Sequence, residues 1–407
     1  MIPLVLMTAV LGACTSNASS STASSSIQAA NATSTSQTKT NTSDYFASED
    51  SDASYDESKA TTISLSGSGA KTSGDGASVV SGSTVTISEA GTYVVSGTSE
   101  NVQIVVKAGD SDKVQIVLNG VTMSGTDAAI LVENSGKTSL TLADGSQNTI
   151  SDSSNHSNTD ADAAIYSNSD LTLKGSGSLT VDGKYETAIK SEQTLRVTGG
   201  TYTLKAAKNG LSAASAINIK DATIDITATE DAIHADNDED TSLGNLYIQS
   251  GTIAINAGDD GLHASNIALI DGGTITVSKS VEALEGTNVT INGGKLDLYA
   301  TDDGINAASD VTGADIFIKI TGGDIKVEVG EGDTDAIDSN GDVIMSGGNL
   351  DITSTVSAFD FDGTATYTGG TITVNGESRT EITADGPGAG GPGGGGAPGG
   401  QGGFGGR

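Results

Sequence analysis

Four stretches of this 407-residue chain set acids beside a small residue and an apolar pair: TEDAIHA at 229–235, GDDGLHA at 258–264, ATDDGINA at 300–307 and TDAIDS at 334–339. Two carboxylates about 4.8 Å apart repel by about 1 kcal/mol in water, and by about 3–4 kcal/mol at the effective dielectric near a protein surface. Repeating that cost calls for a counter-charge. Between positions 221 and 362 there are 28 Asp and Glu against four Lys and Arg. The chain therefore supplies little of the neutralisation itself. A hard divalent cation supplies it well, since Ca²⁺ takes about six to eight oxygens from carboxylates, carbonyls and water in flexible geometry. The doublets and their neighbours nominate Asp231, Asp236, Asp259, Asp260, Asp302, Asp303, Asp335 and Asp338 as ligands. The alternative is a solvated acidic face kept for solubility and against edge pairing. Recurrence at a fixed place in each unit favours the cation, because a solubility face has no reason to keep register.

That fixed place belongs to an internal repeat. The small residues Gly210, Ala232, Gly261, Ala283, Gly304, Ala336 and Ala358 are separated by 22, 29, 22, 21, 32 and 22 positions. ETAIKS, DAAIYS and DAAILV are earlier copies. In VTINGGKLDLYATDDGINA, at 289–307, three short alternating pieces are divided by turns. A Gly-Gly corner recurs at Gly272-Gly273, Gly293-Gly294, Gly322-Gly323, Gly347-Gly348 and Gly369-Gly370. Three strands and three turns in such a unit predict an all-β chain wound as a right-handed parallel β-helix, about ten coils of roughly 22 residues. Extra residues at 236–244, 308–315 and 328–333 then read as loops.

Side chains alternate along a strand. Leu211/Ala213, Ile233/Ala235, Leu262/Ala264, Leu284/Gly286, Ile305/Ala307 and Ile337/Ser339 face the core on this reading. Ser212, His234, His263, Glu285, Asn306, Asp338 and Asp360 form an outward polar column. A second column, Asn209, Asp231, Asp260, Glu282, Asp303 and Asp335, precedes each strand. Strict alternation would turn it inward; a corner would turn it outward, and the outward sense is expected here. His234 and His263 stand one coil apart, placed to bond a ligand or neighbouring carboxylates; transition-metal ligation is the alternative. His156 sits in the polar stretch SDSSNHSNTD. GDTDAIDSNGD at 332–342 is no EF-hand, because Asp338 stands where the loop needs Gly and Ile344 where it needs Glu.

Composition narrows the function. The net charge is −33, with no Trp and 55 Gly. Nucleic acid and anionic membrane surfaces are poor partners for such a chain; a cation, or an anionic ligand bridged by one, fits. No Ser-His-Asp pattern or nucleophile elbow occurs, and no catalytic residue is assigned. Lys190 and Lys279 are the nearest candidates for the base that elimination from a uronic acid requires.

The chain opens with MIPLVLMTAVLGAC, an apolar run ending in Leu11-Gly12-Ala13-Cys14. It reads as an export signal over 1–14, too short to span a bilayer, and its end resembles a bacterial lipobox with Cys14 as the lipidated residue. Contact with a membrane is then through the anchor alone, at the bacterial cell surface or outside the cell. Residues 15–60, rich in Ser and Thr, are expected to be a disordered tether. Residues 61–113 are expected to form the N-terminal coils and cap, 114–383 the β-helix, and 384–407 a Gly/Pro-rich disordered tail.

Together the repeat, the DGLHA-type strands, the glycine corners, the lipobox and the tail resemble the bacterial carbohydrate-binding domain family of calcium-containing, pectate-lyase-like parallel β-helices that bind polygalacturonate and cellulose. The resemblance covers about residues 61–376. It implies calcium at the acidic corners, matched here by Asp231, Asp260, Asp303 and Asp335, and binding rather than cleavage. His234, His263, Glu285 and Asn306 are then candidate carbohydrate contacts. Low aromatic content departs from modules that stack sugars on Trp or Tyr and suits a cation-bridged mode. The expected function is calcium-dependent binding of acidic plant-type or cell-wall polysaccharide. The alternatives are a calcium-dependent polysaccharide lyase and an adhesive scaffold.

Overall fold

A computed structural model describes residues 45–331 and 334–385. Cys14, most of the expected tether, the tail from 386 onward, and Gly332 and Asp333 lie outside the described residues. Within them the chain is all-β: thirty-six strands join one sheet, and the helical structure is two short 3-10 turns, Ser48–Asp50 and Glu57–Lys59. No described helix is long and apolar enough to cross a membrane.

Pairing is parallel except at three places. Thr61–Gly67 meets Gly69–Ser73, Ala77–Val80 meets Thr84–Ile87, and Thr371–Val374 meets Glu377–Arg379, each antiparallel. Through most of the sheet a strand pairs with the third strand along. Ala163–Ser167 pairs with Thr187–Ser191, Leu171–Gly175 with Thr194–Val197, and Ser178–Gly183 with Thr201–Ala206. Three ladders therefore advance together, and a residue's place in the repeat fixes its neighbours.

One hydrophobic cluster runs from Ile63 to Ile382. In the ladder that carries the acids, Ile189, Leu211, Ile233, Leu262, Leu284, Ile305, Ile337 and Phe359 are paired in succession and all but fully buried. Each such side chain contributes about 1.5–3 kcal/mol by leaving water. Few large residues suffice, because small units stacked in register make one continuous interior.

The Gly-Gly corners need their two glycines for different reasons. The second of each pair lies at positive φ, +98° at Gly273 and +99° at Gly294, where a side chain is strained. The first lies against the preceding repeat. A Cβ at Gly322 would stand 2.3 Å from the Asn292 carbonyl oxygen, and one at Gly347 2.3 Å from that of Thr321.

The tether expectation fails at its end. Residues 45–60 lie as a strap over one ladder. Tyr45 stacks on Tyr247 with ring centroids 3.9 Å apart, Phe46 is buried, and the buried Asp50 carboxylate pairs with Lys137 and lies 3.7 Å from Arg196 Nε. Their polar composition carries no periodicity, and the partners are specific ion pairs that composition does not reveal. At the other end the last strand stops at Arg379, and beyond it Asp385 N–H donates to the Phe359 carbonyl at 2.9 Å.

Candidate functional site

The outward column is aligned residue for residue: Ser212 pairs with His234, His234 with His263, His263 with Glu285, Glu285 with Asn306, Asn306 with Asp338 and Asp338 with Asp360. The same column runs back through Lys190 and Tyr166 to Leu131 and Val105. It is only half open to solvent: Ser212 and Asn306 are buried, while His234, His263, Glu285 and Asp338 are half-buried.

The second column turns to the same side. Its side chains climb the ladder by bonding the backbone of the next repeat. Asp231 N–H donates to Asn209 Oδ1 at 3.1 Å, Asp260 N–H to Asp231 Oδ1 at 2.9 Å, Glu282 N–H to Asp260 Oδ1 at 3.3 Å, and Asp335 N–H to Asp303 Oδ1 at 2.9 Å. One oxygen of each such carboxylate is thus spent on backbone. The other is left for the stripe. His234 Nδ1 bonds Asp231 Oδ2 at 2.6 Å, and His263 Nδ1 lies 3.4 Å from Asp260 Oδ2 and closer still to Glu285. The two imidazoles stack with centroids 5.1 Å apart.

Two tight groups result. Asp231, Asp260 and His263 each bring one ligand atom within 4.8 Å of the others, and so do Asp260, Glu282 and Glu285. Glu282 was placed in the second column by the sequence but not nominated as a ligand; its column position was the available signal. Asn306 Nδ2 donates to Glu282 Oε2 at 3.0 Å, while Asn306 Oδ1 is buried without a partner. Asp236 stands at the margin, its Oδ2 3.9 Å from His234 Nε2. Asp259 and Asp302 are exposed at the corners. Asp303, Asp335 and Asp338 lie further along the same stripe.

Crowding of carboxylates in a partly dry stripe displaces their proton affinities. Burial pushes Glu282 up to about 9, with the charges of Glu285 and Asp260 adding to it. Burial likewise takes Asp303 to about 7, with Asp338 and Asp302 nearby, and Asp338 to about 6, with Asp335 and Asp360 nearby. Asp260 is also raised, chiefly by burial. Burial opposes the charge on His263, yet its bonds to Asp260 and Glu285 outweigh this and hold its pKa near 11. Glu285 is lowered despite its burial, because His263 pairs with it. The stripe therefore contains more internal counter-charge than the count of Lys and Arg suggested: His263 serves as a cation.

The remaining candidates separate. His156 is fully engaged, with Nδ1 bonded to the Ala161 carbonyl at 2.8 Å and Nε2 to Asp152 at 3.0 Å, both side chains sealed from solvent. Lys190 Nζ is held by Asp162 at 2.9 Å and Glu192 at 3.2 Å. Lys279 lies exposed on another ladder, opposite Asn256.

Residues 81–334, more than half the chain, match the family model described as carbohydrate-binding domain-containing protein. A carbohydrate-binding domain-containing protein of Acetivibrio thermocellus is 36% identical over 128 residues, 30% of this chain and 45% of that protein. The match thus spans under half the length of that curated relative. Among solved structures, a polysaccharide lyase-like protein from C. thermocellum, determined as a gadolinium derivative, aligns with a TM-score of 0.53 at 29% identity, over 64% of this chain and 98% of that one.

Proposed function

The chain belongs to the family of carbohydrate-binding domain-containing proteins, and from that premise we propose that it holds an acidic cell-wall polysaccharide, polygalacturonate or pectin-like, through calcium on the acid stripe. The family and the lyase-like neighbour together support polysaccharide binding. The observation that carries the calcium reading is the convergence of Asp260, Glu282 and Glu285 from successive windings within 4.8 Å. Oxygens about 2.3–2.6 Å from one ion lie at most about 5 Å apart, so the donor set has the right compass. Its chemistry also fits, being carboxylates beside the unpartnered amide oxygen of Asn306. Asp260, Glu282, Glu285 and Asn306 would hold the ion, with Asp303, Asp335 and Asp338 continuing the stripe. When bound, calcium supplies positive charge that both carboxylate ladders, protein and polysaccharide, can share.

The same reading takes the three ladders as a right-handed parallel β-helix of about ten coils, because strands pair three apart. It takes the Leu11-Gly12-Ala13-Cys14 segment as the lipid anchor of an exported surface protein. A lyase is less well supported, since Lys190 is clamped between two carboxylates and Lys279 stands away from the stripe. Isothermal titration of the full chain with Ca²⁺ tests the site. Saturable binding that is lost in Asp260→Asn with Glu282→Gln supports it; unchanged binding in the double variant contradicts it.

A further inference from the structure

A second feature lies on the ladder beneath the strap. Lys113 is paired in register with Lys137, and Lys174, on the next strand of the same ladder, with Thr141, four residues along from Lys137. Their ammonium groups gather around a cavity of about 300 Å³, lined also by Glu49, Asp52, Gln115 and Ser139. In a chain of charge −33, three lysines at one cavity are unusual. Three carboxylates, Glu49, Asp50 and Asp52, act on them, but the direct pairing is uneven. Lys113 Nζ pairs with Glu49 at 2.6 Å, and Lys137 pairs with Glu49 and Asp50. Lys174 is 6% exposed and donates to the Glu49 backbone carbonyl at 3.0 Å; among the described residues it forms no ion pair. Asp52 spends Oδ1 on the N–H and hydroxyl of Ser54. Asp52, Asp50 and Glu49 act on Lys174 only from beyond contact, and a buried ammonium with no carboxylate in direct contact is costly unless an anion completes it. The cavity is at the small end for a ligand pocket, roomy for one sugar ring and larger than a bare ion needs. Its remaining lining, Gln115, Ser139, Thr92 and Ser54, offers amide and hydroxyl groups to sugar hydroxyls.

We propose that this cavity is a second saccharide site, which takes the carboxylate of a uronate directly on Lys174 and Lys113 without a metal ion. The ligand class is shared with the proposed function, but the site and its chemistry are not, so the two can fail separately. The strap is part of the site, because Glu49 and Asp50 fix the positions of Lys113 and Lys137. Uronate length and charge select the ligand, and salt weakens its hold.

The test is titration of digalacturonate into the full chain in EDTA, followed by ligand-observed NMR, with cellobiose and inorganic sulfate as comparison ligands. The expected result is saturable binding of digalacturonate, weakened at least tenfold in Lys174→Met and in Lys113→Met, unchanged in Asp260→Asn with Glu282→Gln, and absent for cellobiose. Lys113 is largely exposed, so its variant tests the site even where loss of Lys174 disturbs the strap. No binding in EDTA, equal affinity in Lys113→Met, or sulfate binding as tightly as the uronate would each overturn the proposal.

Discussion

At the residue scale the acid stripe is a titrating device. Glu282, Asp303 and Asp338 have folded-state pKa values raised to about 9, 7 and 6. A carboxyl whose folded pKa is raised binds more protons folded than unfolded between the two values, so stability falls as pH rises through that window. Without calcium the protein should lose stability from about pH 4.5 to pH 9, and thermal melts in EDTA across that range check it. Glu282→Gln should flatten the upper part of the loss, and added calcium should reduce it by favouring the ionised forms. Stability that rises with pH in EDTA would contradict the assignment. His263→Gln should cost about 1–3 kcal/mol in EDTA, since Asp260 and Glu285 then share a half-buried space without their cation; denaturant melts measure it. The columns themselves were legible in the sequence, because a parallel repeat stacks equivalent positions. The side to which Asp231, Asp260 and Asp303 turn was not, since alternation breaks at a corner and the deciding bonds run to backbone N–H groups of the next repeat.

At the element scale two devices hold the ladders. Corner glycines let successive repeats approach, and the strap covers one ladder's outer face. Gly322→Ala should destabilise by about 1–3 kcal/mol, because its Cβ would meet the Asn292 carbonyl. Gly313→Ala, at positive φ with nothing within 4 Å, should cost only the backbone strain of about 1–2 kcal/mol. Denaturant melts of both variants rank the two causes. The Asp50 side chain is 1% exposed between Lys137 and Arg196. Asp50→Ala should therefore open residues 45–60 to amide exchange at a local cost of about 3–5 kcal/mol while leaving the inner strands protected. The repeat announced its strands through glycine pairs and alternating Ile, Val and Thr. The strap announced nothing of the kind. Tyr45 and Phe46 in an otherwise polar run were the one hint, and they find their partners on Tyr247 and Lys220, far along the chain.

At the scale of the whole molecule, charge is divided by face. Acids line one ladder, while Lys113, Lys137, Lys174 and Arg196 line another beneath the strap. The summed charge of −33 foresaw the first and hid the second, because residues 49, 113 and 174 meet only after winding. An acidic protein and an acidic polysaccharide repel unless something stands between them, and the account gives that place to calcium. The most direct measurement is retention of the full chain on insoluble polygalacturonate with Ca²⁺ and with chelator, for wild type and for Asp260→Asn with Glu282→Gln. The account predicts retention in calcium at least tenfold above that in chelator, with the gain lost in the double variant. Equal retention with and without calcium would contradict it.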